Sequence, residues 1–135
     1  MQTRRLTEQD LPMLFSWWKA WGWEQMPPDG FLSDDGILVT NGDDCICAGF
    51  LYKISNADVA WFTFPVSNPE IRGVERKDGI RLMIDTIVGI AKDLGYKYVY
   101  SSLRNSSMIQ AQKNCGFIEA DNNHTELLKY IWEQD

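Results

Sequence analysis

Arg76-Lys77-Asp78-Gly79-Ile80-Arg81 opens the run that decides the fold, which continues through Asn105 to Asn114-Cys115-Gly116-Phe117. Behind Gly79 the apolar residues fall at helical spacing: Ile80, Met83, Ile84, Ile87, Ala91 and Leu94 make a stripe of about four turns, closed by Gly95. The six opening residues therefore read as a short cationic loop at a helix N-terminus. From Arg72 to Arg81 the side chains sum to +2 in a chain whose net charge is −6. Free N–H groups and the positive helix end attract phosphate, and a glycine lets an anion approach the main chain. Asp78 has a second reading as an N-cap, which needs no ligand. Arg81 either clamps a phosphate or fills its space.

Outward from this run the chain alternates between strand and helix signals. Gln2 to Leu6 predicts a short strand. Leu11, Leu14, Phe15 and Trp18 predict a helix with Asp10 as N-cap and Pro12 in its first turn. Trp21 to Gly30, rich in Trp, Pro and Gly, predicts a loop or a broken helix. Ile37–Thr40 and Cys45–Ile54 predict a hairpin through Asn41-Gly42-Asp43-Asp44, and Val59–Phe64 a third strand. After the long helix, Tyr96–Leu103 predicts a strand and Asn105–Asn114 a helix ended by Gly116. Phe117–Ala120 and Thr125–Trp132 predict a last hairpin about Asp121–His124. A strand, a crossover helix and another strand imply one parallel pair in an otherwise antiparallel sheet.

The composition sets limits on function. With 135 residues, 44% hydrophobic and 24% charged, one globular domain spanning 1–135 is expected. No apolar run approaches the roughly 20 residues of a membrane span, and a pI near 4.7 speaks against a nucleic-acid partner. The N-terminus lacks the apolar core of a secretion signal, and three cysteines at unsuitable spacing read as reduced thiols, so the cytoplasm is the expected location.

The element order and motifs together resemble the GNAT superfamily of N-acetyltransferases over nearly the whole chain, especially compact members of the kind found in phage genomes. Arg5-Leu6-Thr7-Glu8-Gln9-Asp10-Leu11 is similar to that family's opening. Val66-Ser67-Asn68-Pro69-Glu70-Ile71-Arg72-Gly73 is similar to the end of its fourth strand, and Asn105 to Phe117 to its fourth helix with Gly-Phe. The resemblance implies an α/β (α+β) domain with a mixed, mostly antiparallel sheet flanked by helices and splayed fourth and fifth strands. It implies acetyl-CoA (or CoA) bound by Arg76, Lys77, Asp78, Gly79, Ile80 and Arg81, by Phe64 and Val66 beside Pro65, and by Asn105. It further implies direct acetyl transfer to a small-molecule or peptide amine, with Trp21 and Trp23 walling the acceptor site. Two positions depart from the family's pattern: no residue from Val59 to Val66 ionises where a Glu is frequent, and Gln112 stands where a Tyr is the frequent general acid. No catalytic residue and no metal ligand is assigned. The alternatives are a domain that binds an acyl-CoA without turnover, and an interaction module in which Trp17, Trp18, Trp21 and Trp23 form a contact such as a homodimer interface.

Overall fold

The computed structural model describes residues 1–131. Five strands, β1 (Gln2–Arg5), β2 (Asp35–Asn41), β3 (Asp44–Tyr52), β4 (Val59–Ser67) and β5 (Tyr98–Ser101), lie side by side in chain order. Neighbours run antiparallel except β4 and β5, which are parallel. Helix α1 (Leu11–Ala20), reached through one 3-10 turn (Glu8–Asp10), follows β1; α2 (Gly73–Asp93) crosses from β4 to β5; α3 (Ser106–Asn114) follows β5.

Strand alternation explains the two layers. In β2, Leu38 faces α1 while Ile37 and Val39 face α2; in β3, Phe50 faces α1 and Leu51 faces α2. The sheet is thus buried on both sides, which is why β2 and β3 read as continuous apolar runs. Gly42, the first residue of the two-residue connection between β2 and β3, has φ +62°, as a primed hairpin turn requires.

Several expectations change. Helix α2 begins at Gly73, so Arg76 to Arg81 is not a loop but lies within its first three turns. The polar residues Glu75, Arg76, Lys77 and Asp78 carry no apolar periodicity and so hide the helix start. Asp78 is no N-cap; Arg72 holds that position. Gly79, read as a sign of ligand approach, marks instead the close packing of α2 on β3, where an added Cβ would run into the Ile46 side chain. Trp21 to Gly30 forms no helix, which agrees with the loop of its two readings. The last hairpin is not built: Asn123 sits at φ +60° and the Asn122 N–H donates to Asp121 at 2.8 Å, but 117–130 forms no turn and neither arm joins a ladder among the described residues. The end of its second arm, Trp132, lies outside them. A four-residue first arm gives a two-stranded hairpin little stability without a sheet beneath it. The arms are tied instead by ion pairs, Lys113–Glu119 at 3.5 Å and Arg104–Glu126 at 3.7 Å; Phe117 packs against the α2–α3 cluster, while Ile118, Leu127 and Leu128 stay exposed, Leu127 by 91%.

Candidate functional site

The site follows from where β4 and β5 part. Their parallel pairing runs from Val59↔Tyr98 to Phe62↔Ser101 and stops. Strand β4 goes on for five residues, Thr63 to Ser67, with no partner on that side among the described residues, while β5 ends and the chain turns into α3. A fork opens, one wall of which is the free main-chain edge of β4. Its cause is local: the β3–β4 register slips between Ala48↔Val66 and Phe50↔Thr63, so that Phe64 and Pro65 bulge from the ladder. Pro65 has no N–H to contribute, and Phe64 sits at φ +55°, a conformation that costs a non-glycine residue about 1–2 kcal/mol. Packing holds it there, because the Phe64 ring lies within 5.6–6.4 Å, centroid to centroid, of Trp18, Trp23, Phe31 and Tyr52.

Both helices that follow these strands start at the carboxyl ends of β4 and β5. Helix α2 leaves the N–H groups of its first turn, from Gly73, without intrahelical partners. At α3, Asn105 is the N-cap: its carboxamide oxygen accepts from the Met108 N–H at 3.0 Å, so that part of this side chain is engaged in holding the helix. Two positive helix ends and the cations Arg72, Arg76 and Lys77 make this end of the sheet favourable to an anion, whereas Glu75, in the first turn of α2, is held by the Asn41 amide at 2.7 Å.

The sequence-predicted residues divide accordingly. Arg76 and Lys77 lie near the start of α2, and the Arg76 guanidinium stands 5.9 Å above the Trp21 ring. Gly79 and Ile80 are buried in the seam with the sheet, and their side-chain positions face β3 rather than solvent. Asp78 and Arg81 are exposed on the helix, the latter 3.9 Å from Asp85. Val66 is buried under α1, so only its main chain borders the fork. Trp21 donates its Nε1–H to the Ser67 carbonyl at 2.8 Å, tying the loop after α1 to the end of β4. Trp23 stacks on Trp18 with centroids 5.3 Å apart. Both therefore have internal anchors and leave part of each ring exposed on the α1 side.

Several groups are set aside by their surroundings. Burial pushes the Cys47 thiol far above its usual range, and burial, then Asp85, raises that of Cys115. Tyr52 is pushed up to about 12 by burial, and its hydroxyl donates to the Phe31 carbonyl at 2.6 Å. His124 is exposed beside Asp121. A groove of about 500 Å³ between α1, the β2–β3 turn and the β4–α2 connection carries Asp43, Asp44 and Glu70, the wrong sign for phosphate. Ser101 and Gln112 carry buried polar atoms with no partner among the described residues; the sequence marks Gln112 only as the position where a Tyr is frequent, and nothing in it marks Ser101.

Solved structures match this arrangement closely in shape and weakly in sequence. One described as a "probable acetyltransferase" has a TM-score of 0.70 at 14% identity, covering 99% of this chain and 100% of that one. The chain has the fold of the GNAT acetyltransferases. The ribosomal-protein-S18-alanine N-acetyltransferase of Escherichia coli gives 0.70 at 14% identity, over 89% of this chain and 79% of that one. N-acetylglutamate synthase of Neisseria gonorrhoeae, solved with coenzyme A and L-arginine, gives 0.71 at 13% identity over 93% of this chain, which spans 29% of the synthase chain. No protein-family profile matches the sequence, and no curated protein does. Among the described residues no helix of this GNAT-fold chain is long and apolar enough to cross a membrane.

Proposed function

We propose that the chain is an acetyltransferase that takes its acetyl group from acetyl-CoA and gives it to an amine. The observation that carries this reading is the fork: a free main-chain edge, opened by a strained bulge, with two helix N-termini at its mouth. The GNAT likeness supports it. An extended ligand arm can bond the open edge of β4 as an added strand would. A pyrophosphate would meet the free N–H groups at the start of α2, with Arg72, Arg76 and Lys77 supplying positive charge. Acetyl-CoA supplies an acyl group already activated as a thioester. Phe64 and Val66 would contribute main-chain groups, and Asn105 the start of α3. Asp78, Gly79, Ile80 and Arg81 are not retained as contacts.

The acceptor would approach from the α1 side, along the exposed parts of Trp21 and Trp23. Its ammonium must lose a proton before it can attack, and β4 carries no ionisable side chain to take it. Bulk water is then the base, which favours acceptors with low amine pKa, such as peptide N-termini near 8, over lysine near 10.4. Three free thiols suit a reducing compartment, the cytoplasm.

Thiol release from acetyl-CoA over a panel of peptide N-termini and small amines tests the activity. Turnover with at least one class is the expected result. Tight acetyl-CoA binding with no thiol release across the panel would favour the second reading, binding without turnover, which the absence of an ionisable group on β4 supports.

A further inference from the structure

Among the cations at the start of α2, Arg76 has a defined neighbour. Its guanidinium carbon stands 5.9 Å from the centre of the Trp21 ring, within the range at which a cation is attracted to the face of an indole. Among the described residues Arg76 forms no ion pair, whereas Arg4, Arg5, Arg81 and Arg104 each have a carboxylate within 4.0 Å. Glu75, its neighbour in the chain, is bonded to the Asn41 amide at 2.7 Å. The kind of partner matters for an anion. A carboxylate would cancel the charge and take up N–H donors, while an aromatic ring holds the guanidinium without neutralising it.

Trp21 is itself fixed at two points. Its main chain caps the C-terminus of α1, where its N–H is shared between the Trp17 and Trp18 carbonyls at 3.0 and 3.1 Å. Its indole Nε1–H donates to the carbonyl of Ser67, the buried last residue of β4, at 2.8 Å. The end of α1, the end of β4 and the start of α2 are thus joined through one side chain. An exposed arginine otherwise samples many rotamers, and a ligand that uses it must bear the cost of ordering it. A ring already anchored to the scaffold removes part of that cost.

We propose that Trp21 is a positioning residue for the coenzyme: it holds the Arg76 guanidinium, charged and unpaired, for a phosphate at the start of α2. The inference rests on the function proposed above. It gives Trp21 a task on the coenzyme side as well as on the acceptor side, and makes an indole carried by α1 a determinant of coenzyme affinity.

Calorimetric titration of acetyl-CoA into the wild type, Trp21→Leu, Arg76→Gln and the double variant tests this without an acceptor. Trp21→Leu should weaken binding about fivefold, the worth of a partly exposed cation–π contact and the ordering it supplies. Trp21→Phe, which keeps a ring, should stay within about twofold of the wild type. In the Arg76→Gln background Trp21→Leu should cost less than about twofold, because the group it positions is gone. A merely structural role would weaken binding by the same factor in both backgrounds. That result, or full affinity in either single variant, would overturn the positioning role and leave the acetyltransferase reading intact. A wild-type chain that binds no acetyl-CoA would overturn both.

Discussion

At the scale of single residues, Asp10 shows how a short polar contact shapes the entry to the fold. Its carboxylate accepts from both terminal nitrogens of Arg4, at 2.8 and 2.9 Å, and from the Thr7 N–H at 2.8 Å. Sequence placed Asp10 correctly at the N-cap position of α1, but its side chain turns back to β1 and makes no cap bond to α1. The Arg4 bond, with Thr7 behind it, holds its carboxyl down at about 2. A lowered pKa adds stability that is complete above the unfolded value near 3.9 and is lost as pH falls through about 2. Arg4 is half exposed, which discounts the pair to about 1 kcal/mol. Asp10→Asn, which keeps an acceptor for Thr7, should cost about that much at pH 7 by urea unfolding, and its deficit should close between pH 4 and pH 2. A deficit unchanged across that range would show that the charge contributes nothing. Gly79 is the second residue whose role the structure settles. A helix interior ordinarily gains about 1 kcal/mol from Gly→Ala, yet here the new methyl meets Ile46. Gly79→Ala should therefore destabilise by about 1–3 kcal/mol net, and the loss should vanish in an Ile46→Ala background.

The elements show which features can be read from sequence. Strands β2 and β3 and the hairpin joining them were legible, because apolar runs bounded by Asn41-Gly42 have one simple solution. The inner stripe of α2 was equally clear, but its start was not: Gly73 opens the helix seven residues before the first apolar stripe residue, and Gly79 reads as a break when it is a contact. The bulge at Phe64 could not be read at all. Pro65 marks a defect in the ladder, but the positive φ of Phe64 is imposed by the aromatic cluster around it, four of whose rings come from distant parts of the chain. The site was legible only as a neighbourhood for the same reason: spacing marks Gln112 as standing where a Tyr is frequent, but not that its amide, like the Ser101 hydroxyl, is buried without a partner among the described residues. If the bulge geometry is imposed by packing, replacing the ring should expose the backbone strain. Phe64→Gly and Phe64→Ala lose the same aromatic contacts, so glycine, free to take φ +55°, should leave the protein about 1 kcal/mol more stable than alanine does. Equal stability of the two would mean that β4 relaxes once the ring is gone.

The whole molecule separates its two working sides by the sheet. The α2–α3 side and the carboxyl ends of β4 and β5 carry the helix termini, the cations and, among the described residues, two of the three unpartnered buried polar atoms, Ser101 Oγ and Gln112 Nε2. The α1 side carries the aromatic cluster with exposed parts of Trp21 and Trp23. In a chain of net charge −6 the cations of Arg72, Arg76 and Lys77 are a local exception, placed where the fold also directs two positive helix ends. That coincidence of charge, helix ends and open strand edge is the centre of the account, and calorimetric titration of acetyl-CoA into the wild-type chain and into Arg76→Glu/Lys77→Glu tests it most directly. The account predicts saturable one-to-one binding by the wild type, weakened at least tenfold in the variant at unchanged thermal stability. No binding by the wild type, or equal binding by both proteins, would contradict it.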